Sequence, residues 1–289
     1  MKLVIISGRS GSGKSTALNL LEDEGYYCID NLPVALIPQA VQYLQESNAK
    51  EHDNVAICID ARNASSDLSN LIEVFQRNPE NLIVDIVYLD AEDERLIKRF
   101  SETRRRHPLS NKDIALSEAI LNERKILEPI ANIATLVIDT SIMSLHELRT
   151  AIKTRLVEKQ GSGISVLFQS FGFKQGIPVD ADIVYDIRIL PNPHWDPTLR
   201  VHTGQNQPVI DFLNAQHEVN DMFTDIQQYL EKWLPLFEQN NRSYITIAIG
   251  CTGGQHRSVY MAERLANYFS TLYQNVQIRH RELHRHSKL

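Results

Sequence analysis

Leu3-Val4-Ile5-Ile6-Ser7-Gly8-Arg9-Ser10-Gly11-Ser12-Gly13-Lys14-Ser15 is the stretch whose reading decides the fold. Its first residues are apolar and largely β-branched, as a strand buried on both faces requires. Residues 8–15 then fit G-x-x-x-x-G-K-[ST] without a mismatch, and an amphipathic stretch follows over residues 15–24. Strand, glycine loop and helix in that order give the motif its chemistry. Glycines let backbone N–H groups turn inward and form an anion nest at the positive end of a helix. Lys14 then reaches the β- and γ-phosphates of a nucleoside triphosphate, and the Ser15 hydroxyl ligates Mg²⁺.

Outward from this loop, residues 26–30, 55–60, 82–90 and 135–139 read as further strands. Helical periodicity runs through residues 37–46, 68–76, 94–104 and 116–130. Near-continuous apolar strands alternating with helices predict a parallel sheet covered on both faces. The fold class expected is α/β: a P-loop NTPase or kinase-like domain over residues 1–156, then a second α/β domain over residues 157–289. The polar, glycine-containing residues 158–163 read as the linker. In the second domain, residues 164–169, 183–189, 244–250 and 276–278 read as strands, and 219–238 and 259–268 as helices.

With 43% hydrophobic and 23% charged residues, the 289-residue chain has the composition of a globular protein. No apolar run approaches the roughly 20 residues of a membrane helix, and the first residues are too briefly apolar for a signal peptide. Cys28, Cys58 and Cys251 are an odd, widely spaced set without metal-ligand spacing, so a reducing, cytoplasmic location is expected. A net charge of -6 excludes nucleic-acid binding by the molecule's overall field. The chain ends on its one sustained basic run, with Arg279, Arg281, Arg285 and Lys288 against Glu282. Those four can neutralise nucleic-acid phosphates. The neighbouring His280, His284 and His286 would add positive charge in mild acid. An ordinary solvated terminus is the competing reading.

Mg²⁺ beside a triphosphate needs a carboxylate at a neighbouring strand end. Asp60 is preferred, because Asp60-Ala61-Arg62-Asn63 gathers a carboxylate, a cation and an amide where α/β sheets bind ligands. Asp90 reads instead as a cap for the helix that follows. Arg104-Arg105-Arg106-His107 reads either as a phosphate lid or as a solvated helix end. A second anion loop, Cys251-Thr252-Gly253-Gly254-Gln255-His256-Arg257-Ser258, again lies between a buried strand and a helix. It also carries the C-x5-R-[ST] spacing of cysteine-dependent phosphatases, with Asp196 as a candidate acid. Phosphate recognition without catalysis is the preferred reading. Arg188, His194, Asn240 and Ser243 are expected to converge on this loop as a sugar-phosphate pocket.

These motifs, with EDEGYYCIDNLP, the ID-x-RN turn, QSFGFK, LPNPHWDP, NNRSY and CTGG-x-HRS, together resemble the RapZ/YvcJ family along the whole chain. The resemblance implies ATP at Gly8, Arg9, Ser10, Gly11, Ser12, Gly13, Lys14 and Ser15, and GTP contacts at Asp60, Ala61, Arg62 and Asn63. It implies glucosamine-6-phosphate among Arg188, His194, Asn240, Ser243, Thr252, Gly253 and Arg257, and RNA toward residues 270–288. The gammaproteobacterial members present a small regulatory RNA to RNase E and so tune glucosamine-6-phosphate synthase. The tail here holds more histidine and less lysine than theirs. A homo-oligomer is expected. The rival classes are a small-molecule P-loop kinase and a cysteine phosphatase.

Overall fold

The computed structural model describes residues 1–46, 53–62, 82–158, 163–240 and 242–283. They fall into two compact units, Met1–Glu158 and Lys159–Leu289. The helix expected at residues 68–76 lies outside the described residues.

In the first unit, β1 (Lys2–Gly8), β2 (Tyr27–Ile29), β3 (Asn54–Cys58), β4 (Ile83–Asp90) and β5 (Leu136–Asp139) form a parallel sheet ordered β2-β3-β1-β4-β5. β1 is central because Leu3, Val4, Ile5 and Ile6 are all at most 1% exposed, so both its faces are covered. Leu3 and Ile5 pack with Val55, Ile57, Ile86, Ile37, Val41 and Leu127. Each such buried aliphatic side chain contributes roughly 1.5–3 kcal/mol. α1 (Lys14–Asp23), α2 (Ile37–Glu46), α3 (Asp93–Thr103), α4 (Leu116–Ile133) and α5 (Leu145–Ile152) are its α-helices among the described residues. Because β3 and β4 flank β1, the loops after all three strands open along one carboxyl edge.

The second unit holds another parallel sheet, ordered β7-β8-β6-β9. Its strands are β6 (Ser165–Gly172), β7 (Ile183–Asp186), β8 (Tyr244–Cys251) and β9 (Asn275–His280). α6 (Gln207–Asn214), α7 (His217–Gln239) and α8 (Arg257–Phe269) accompany it. Phe168, Ile245, Ile247, Ile249, Leu230, Leu234 and Leu265 form its core. Among the described residues no helix is long and apolar enough to cross a membrane.

Candidate functional site

The phosphate loop is shaped by the sheet beneath it. Gly8 has φ 141°, and a Cβ there would lie 2.1 Å from the Leu89 carbonyl oxygen, so only glycine lets the chain turn out of β1 against β4. Gly13 starts α1 in the left-handed region, at φ 109°. Lys14 Nζ donates to the Gly8 carbonyl at 2.6 Å and thus spans the loop. Burial pulls the Lys14 ammonium below its ordinary pKa; Glu123 foremost, then Cys58, Asp60 and Asp30, oppose that. Ser15 is exposed in the first turn of α1, and the buried Ser12 hydroxyl has no hydrogen-bond partner among the described residues.

A buried carboxylate braces this loop from below. Glu123, on α4, accepts from the Ser10 amide at 2.9 Å and from the Ser10 hydroxyl at 2.6 Å. His107 Nε2 lies 3.1 Å from the same carboxylate, and the Leu109 amide donates to His107 Nδ1 at 3.1 Å. That second bond assigns the ring proton to Nε2, which therefore donates to Glu123. Burial would raise the Glu123 pKa, but the bonds from His107 and Ser10 together outweigh it and hold the carboxyl below its ordinary value. His107 also packs 5.0 Å from the Phe100 ring. Arg104, Arg105 and Arg106 are exposed just before it, so the basic knot is a solvated run tethered at a buried histidine.

Arg9 belongs to the loop by its backbone alone. Its side chain is 2% exposed, pairs with Asp93 at 2.5 Å and Asp90 at 3.5 Å, and donates to the Ala91 carbonyl. Asp90 accordingly serves Arg9 and the Ala91 amide and does not cap α3, whose N-cap is Glu92. Arg99 on α3 donates to the Gly11 carbonyl at 2.9 Å and to Thr140, tying the outer side of the loop to the β5 end. Asp60 is 8% exposed and holds Arg62 through the Arg62 amide at 2.9 Å and its Nε at 2.8 Å. Ala61 packs into the core, and Asn63 lies outside the described residues. Among the described residues no cluster of three or more His, Cys, Asp or Glu could hold a metal by itself.

In the second unit, the strand ends of β6, β7, β8 and β9 meet around residues 251–258. Cys251 Sγ accepts from the Gly254 amide at 3.2 Å and lies 3.2 Å from the Ser258 hydroxyl. Arg257 donates through Nη1 to the carbonyls of Arg188 at 2.7 Å and Leu190 at 2.8 Å, and its Nη2 lies 3.4 Å from Thr252 Oγ1. Burial lowers the Arg257 pKa somewhat, against the raising influence of Cys251 and Asp186. The Arg188 guanidinium forks onto Asp186 and lies 4.0 Å over the Phe173 ring. His194 is exposed, with its ring 6.2 Å from that of His256, next to Arg257 in sequence. Arg188, His194, Thr252, Gly253 and Arg257 therefore share one edge of the sheet. Asn240 and Ser243 do not join them: they precede β8, and its eight residues put about 25 Å of strand between them and Thr252. Within one chain, polar residues flanking opposite ends of one strand cannot meet, so Asn240 and Ser243 lie apart from the other five.

The basic end differs from expectation too. Arg281 is 4% exposed and donates to the carbonyls of Gly176 and Gln175, both at 2.9 Å, so it is a structural clasp and no phosphate contact. Glu282 accepts from the Gly172 amide at 3.0 Å beside Gly254. His280 is buried between Ser170 and Glu263. Arg279 is half-buried on β9, and Arg285, Lys288, His284 and His286 lie outside the described residues. Asp196 accepts from the Thr198 hydroxyl and amide, which hold it below its ordinary pKa.

Residues 1–160 match the RapZ-like N-terminal domain, and residues 164–284 match the RapZ C-terminal domain. The chain belongs to the RapZ-like family. A protein named nucleotide-binding protein from Saccharophagus degradans is 55% identical over 284 residues, 98% of each chain. One of the same description from Pseudomonas putida strain GB-1 is 54% identical over 98% of this chain and all of its own. Among solved structures, a gluconokinase from Sinorhizobium meliloti 1021 is 19% identical over 54% of this chain and 94% of its own, with a TM-score of 0.36. Glu123, Arg99 and Glu282 escaped the sequence reading. Each acts across the fold on a loop elsewhere in the chain, and no local spacing announces it.

Proposed function

We propose that the chain is a cytoplasmic, nucleotide-binding RNA adaptor. Its first unit takes ATP on Gly8–Ser15, and GTP contacts fall at Asp60–Asn63. Mg²⁺ arriving with the nucleotide would be held by Ser15 and Asp60 and would neutralise β- and γ-phosphate charge. The second unit takes glucosamine-6-phosphate among Arg188, His194, Thr252, Gly253 and Arg257. The chain end, with Arg279, Arg285 and Lys288, binds a small regulatory RNA, presented by a homo-oligomer to RNase E to tune glucosamine-6-phosphate synthase.

The observation that carries the nucleotide part is Lys14 drawn across a glycine loop whose underside is pinned by Glu123. A pinned loop spends little conformational entropy when a phosphate arrives. The names of the relatives agree with that part. The RNA and effector parts rest on family resemblance and on the anion-ready carboxyl edge of the second sheet. Calorimetric titration with ATP and GTP tests the first part: Lys14→Ala should weaken both by tenfold to a hundredfold, about 1.5–3 kcal/mol. Unchanged affinity would overturn it. Retention of a stem-loop RNA on filters, together with faster cleavage of that RNA by RNase E, tests the adaptor part, and γ-phosphate transfer to a sugar would replace it with a kinase.

A further inference from the structure

We propose that Cys251 is a nucleophile and that residues 251–258 form a thiol–phosphate site. Its substrates are aryl phosphates, phosphomonoesters whose leaving group departs as a stable phenolate anion. The inference rests on the reading of this loop as a phosphate-binding site and adds covalent chemistry to it.

Three features of one loop agree. Cys251 ends β8 at the floor of the turn, and its sulfur is fixed by the Gly254 amide and the Ser258 hydroxyl, each 3.2 Å away. Gly254 reaches that position at φ 73°, and Gly253 beside it is exposed with open space where a Cβ would stand. The third feature is the orientation of Arg257. Its Nη1 is consumed by two carbonyls on one side, those of Arg188 and Leu190. On the other side Nη2 faces Thr252, and Nε, on a residue 4% exposed, has no hydrogen-bond partner among the described residues. A buried guanidinium N–H without an acceptor is costly, and an Nε–Nη2 pair is the fork that takes two oxygens of a phosphoryl group. The acceptor that this fork lacks is supplied by a phosphate lying over the sulfur.

In the reaction, the Cys251 thiolate attacks phosphorus, the P–S bond forms as the P–O bond to the leaving group breaks, and the leaving anion departs with that electron pair. Water then attacks phosphorus, its proton passes to solvent, the P–S bond breaks, and phosphate and thiolate are released. The Asp196 carboxylate accepts from both the Thr198 amide and the Thr198 hydroxyl, bonds that favour its ionised form and make it a poor proton donor to an alkoxide leaving group. A sugar phosphate, whose leaving group is an alkoxide, is therefore held without being cleaved, as a sensed ligand must be.

The test uses the full chain with p-nitrophenyl phosphate in EDTA, which silences Mg²⁺-dependent chemistry at the first unit. Nitrophenolate release is expected, inhibited by vanadate, with acid quenching trapping phosphate on Cys251. Cys251→Ser should lower turnover by roughly a hundredfold or more. It should still bind glucosamine-6-phosphate within about twofold, because recognition uses Arg257 and backbone N–H groups, whereas Arg257→Ala should lose both. Equal melting temperatures would show that the variants fold. No turnover, or turnover equal in Cys251→Ser, with sugar-phosphate binding intact, sinks the thiol chemistry and leaves the recognition site. Thiol-dependent turnover without sugar-phosphate binding keeps the chemistry and removes the effector.

Discussion

Glu123 lies 113 residues downstream of Ser10, yet holds both its amide and its hydroxyl while taking a third bond from His107. Glu123→Gln keeps the shape but turns an NH2 group toward those donors, so it should cost about 2 kcal/mol at neutral pH. The sign with pH follows from the depressed folded pKa: the carboxylate's contribution is complete above the ordinary carboxyl range and is lost as pH falls through the folded value. The gap between wild type and Glu123→Gln in urea denaturation should therefore be wide at pH 7 and shrink progressively as pH falls below the ordinary carboxyl value of about 4.3. A gap that widened in acid would mean that the folded loop does not favour the ionised carboxylate. Legibility differs sharply between neighbours here. The places of Lys14 and Ser15 at the start of α1 are legible because the motif fixes their spacing on one loop. Glu123 is not, because in sequence it is one more acid on an amphipathic helix, and only packing reveals that it faces inward.

β9 and the short helix α5 show what holds for elements. The sequence pattern marked residues 276–278, where the apolar side chains are; backbone pairing to Ser165–Ser170 carries the strand to Asn275–His280. α5 went unread although its start was written locally. Ser144 accepts from the Glu147 amide at 3.2 Å, and the Glu147 carboxylate accepts from the Ser144 amide at 2.7 Å, the S-x-x-E capping box. Ser144→Ala should lower stability by roughly 1 kcal/mol, read from the urea midpoint at unchanged slope; no shift would mean that packing alone holds the helix. For the chain end, the clasp made by Arg281 removes one of four cations. RNA affinity should then fall with salt at a log–log slope near -2, taking about -0.7 for each of three single-strand contacts, instead of near -3. A truncation that tests this must keep residues up to Leu283. One ending at Ile278 would also remove His280, Arg281 and Glu282, which bind the β6 end and the segment after it, and would confuse lost RNA contacts with a damaged sheet.

The molecule contains two parallel sheets, each with its own apolar core. Its candidate nucleotide site lies within the first unit, and its candidate phosphate loop, residues 251–258, lies within the other. If each core melts on its own, a ligand stabilises only the unit that holds it. Scanning calorimetry of the intact chain should then show two transitions. Mg·ATP at about 100 times its Kd adds roughly 2.7 kcal/mol to the first unit. For a unit of that size this moves one transition up by about 5–11 °C and leaves the other in place. Glucosamine-6-phosphate should do the reverse, raising only the transition that Mg·ATP leaves alone. Lys14→Ala would cancel the first shift and Arg257→Ala the second, which assigns each transition to its unit without cutting the chain. A single transition raised by either ligand would show that the two cores unfold as one. The nucleotide and the sugar phosphate would then be coupled through global stability, and an adaptor built this way would sense both with one equilibrium.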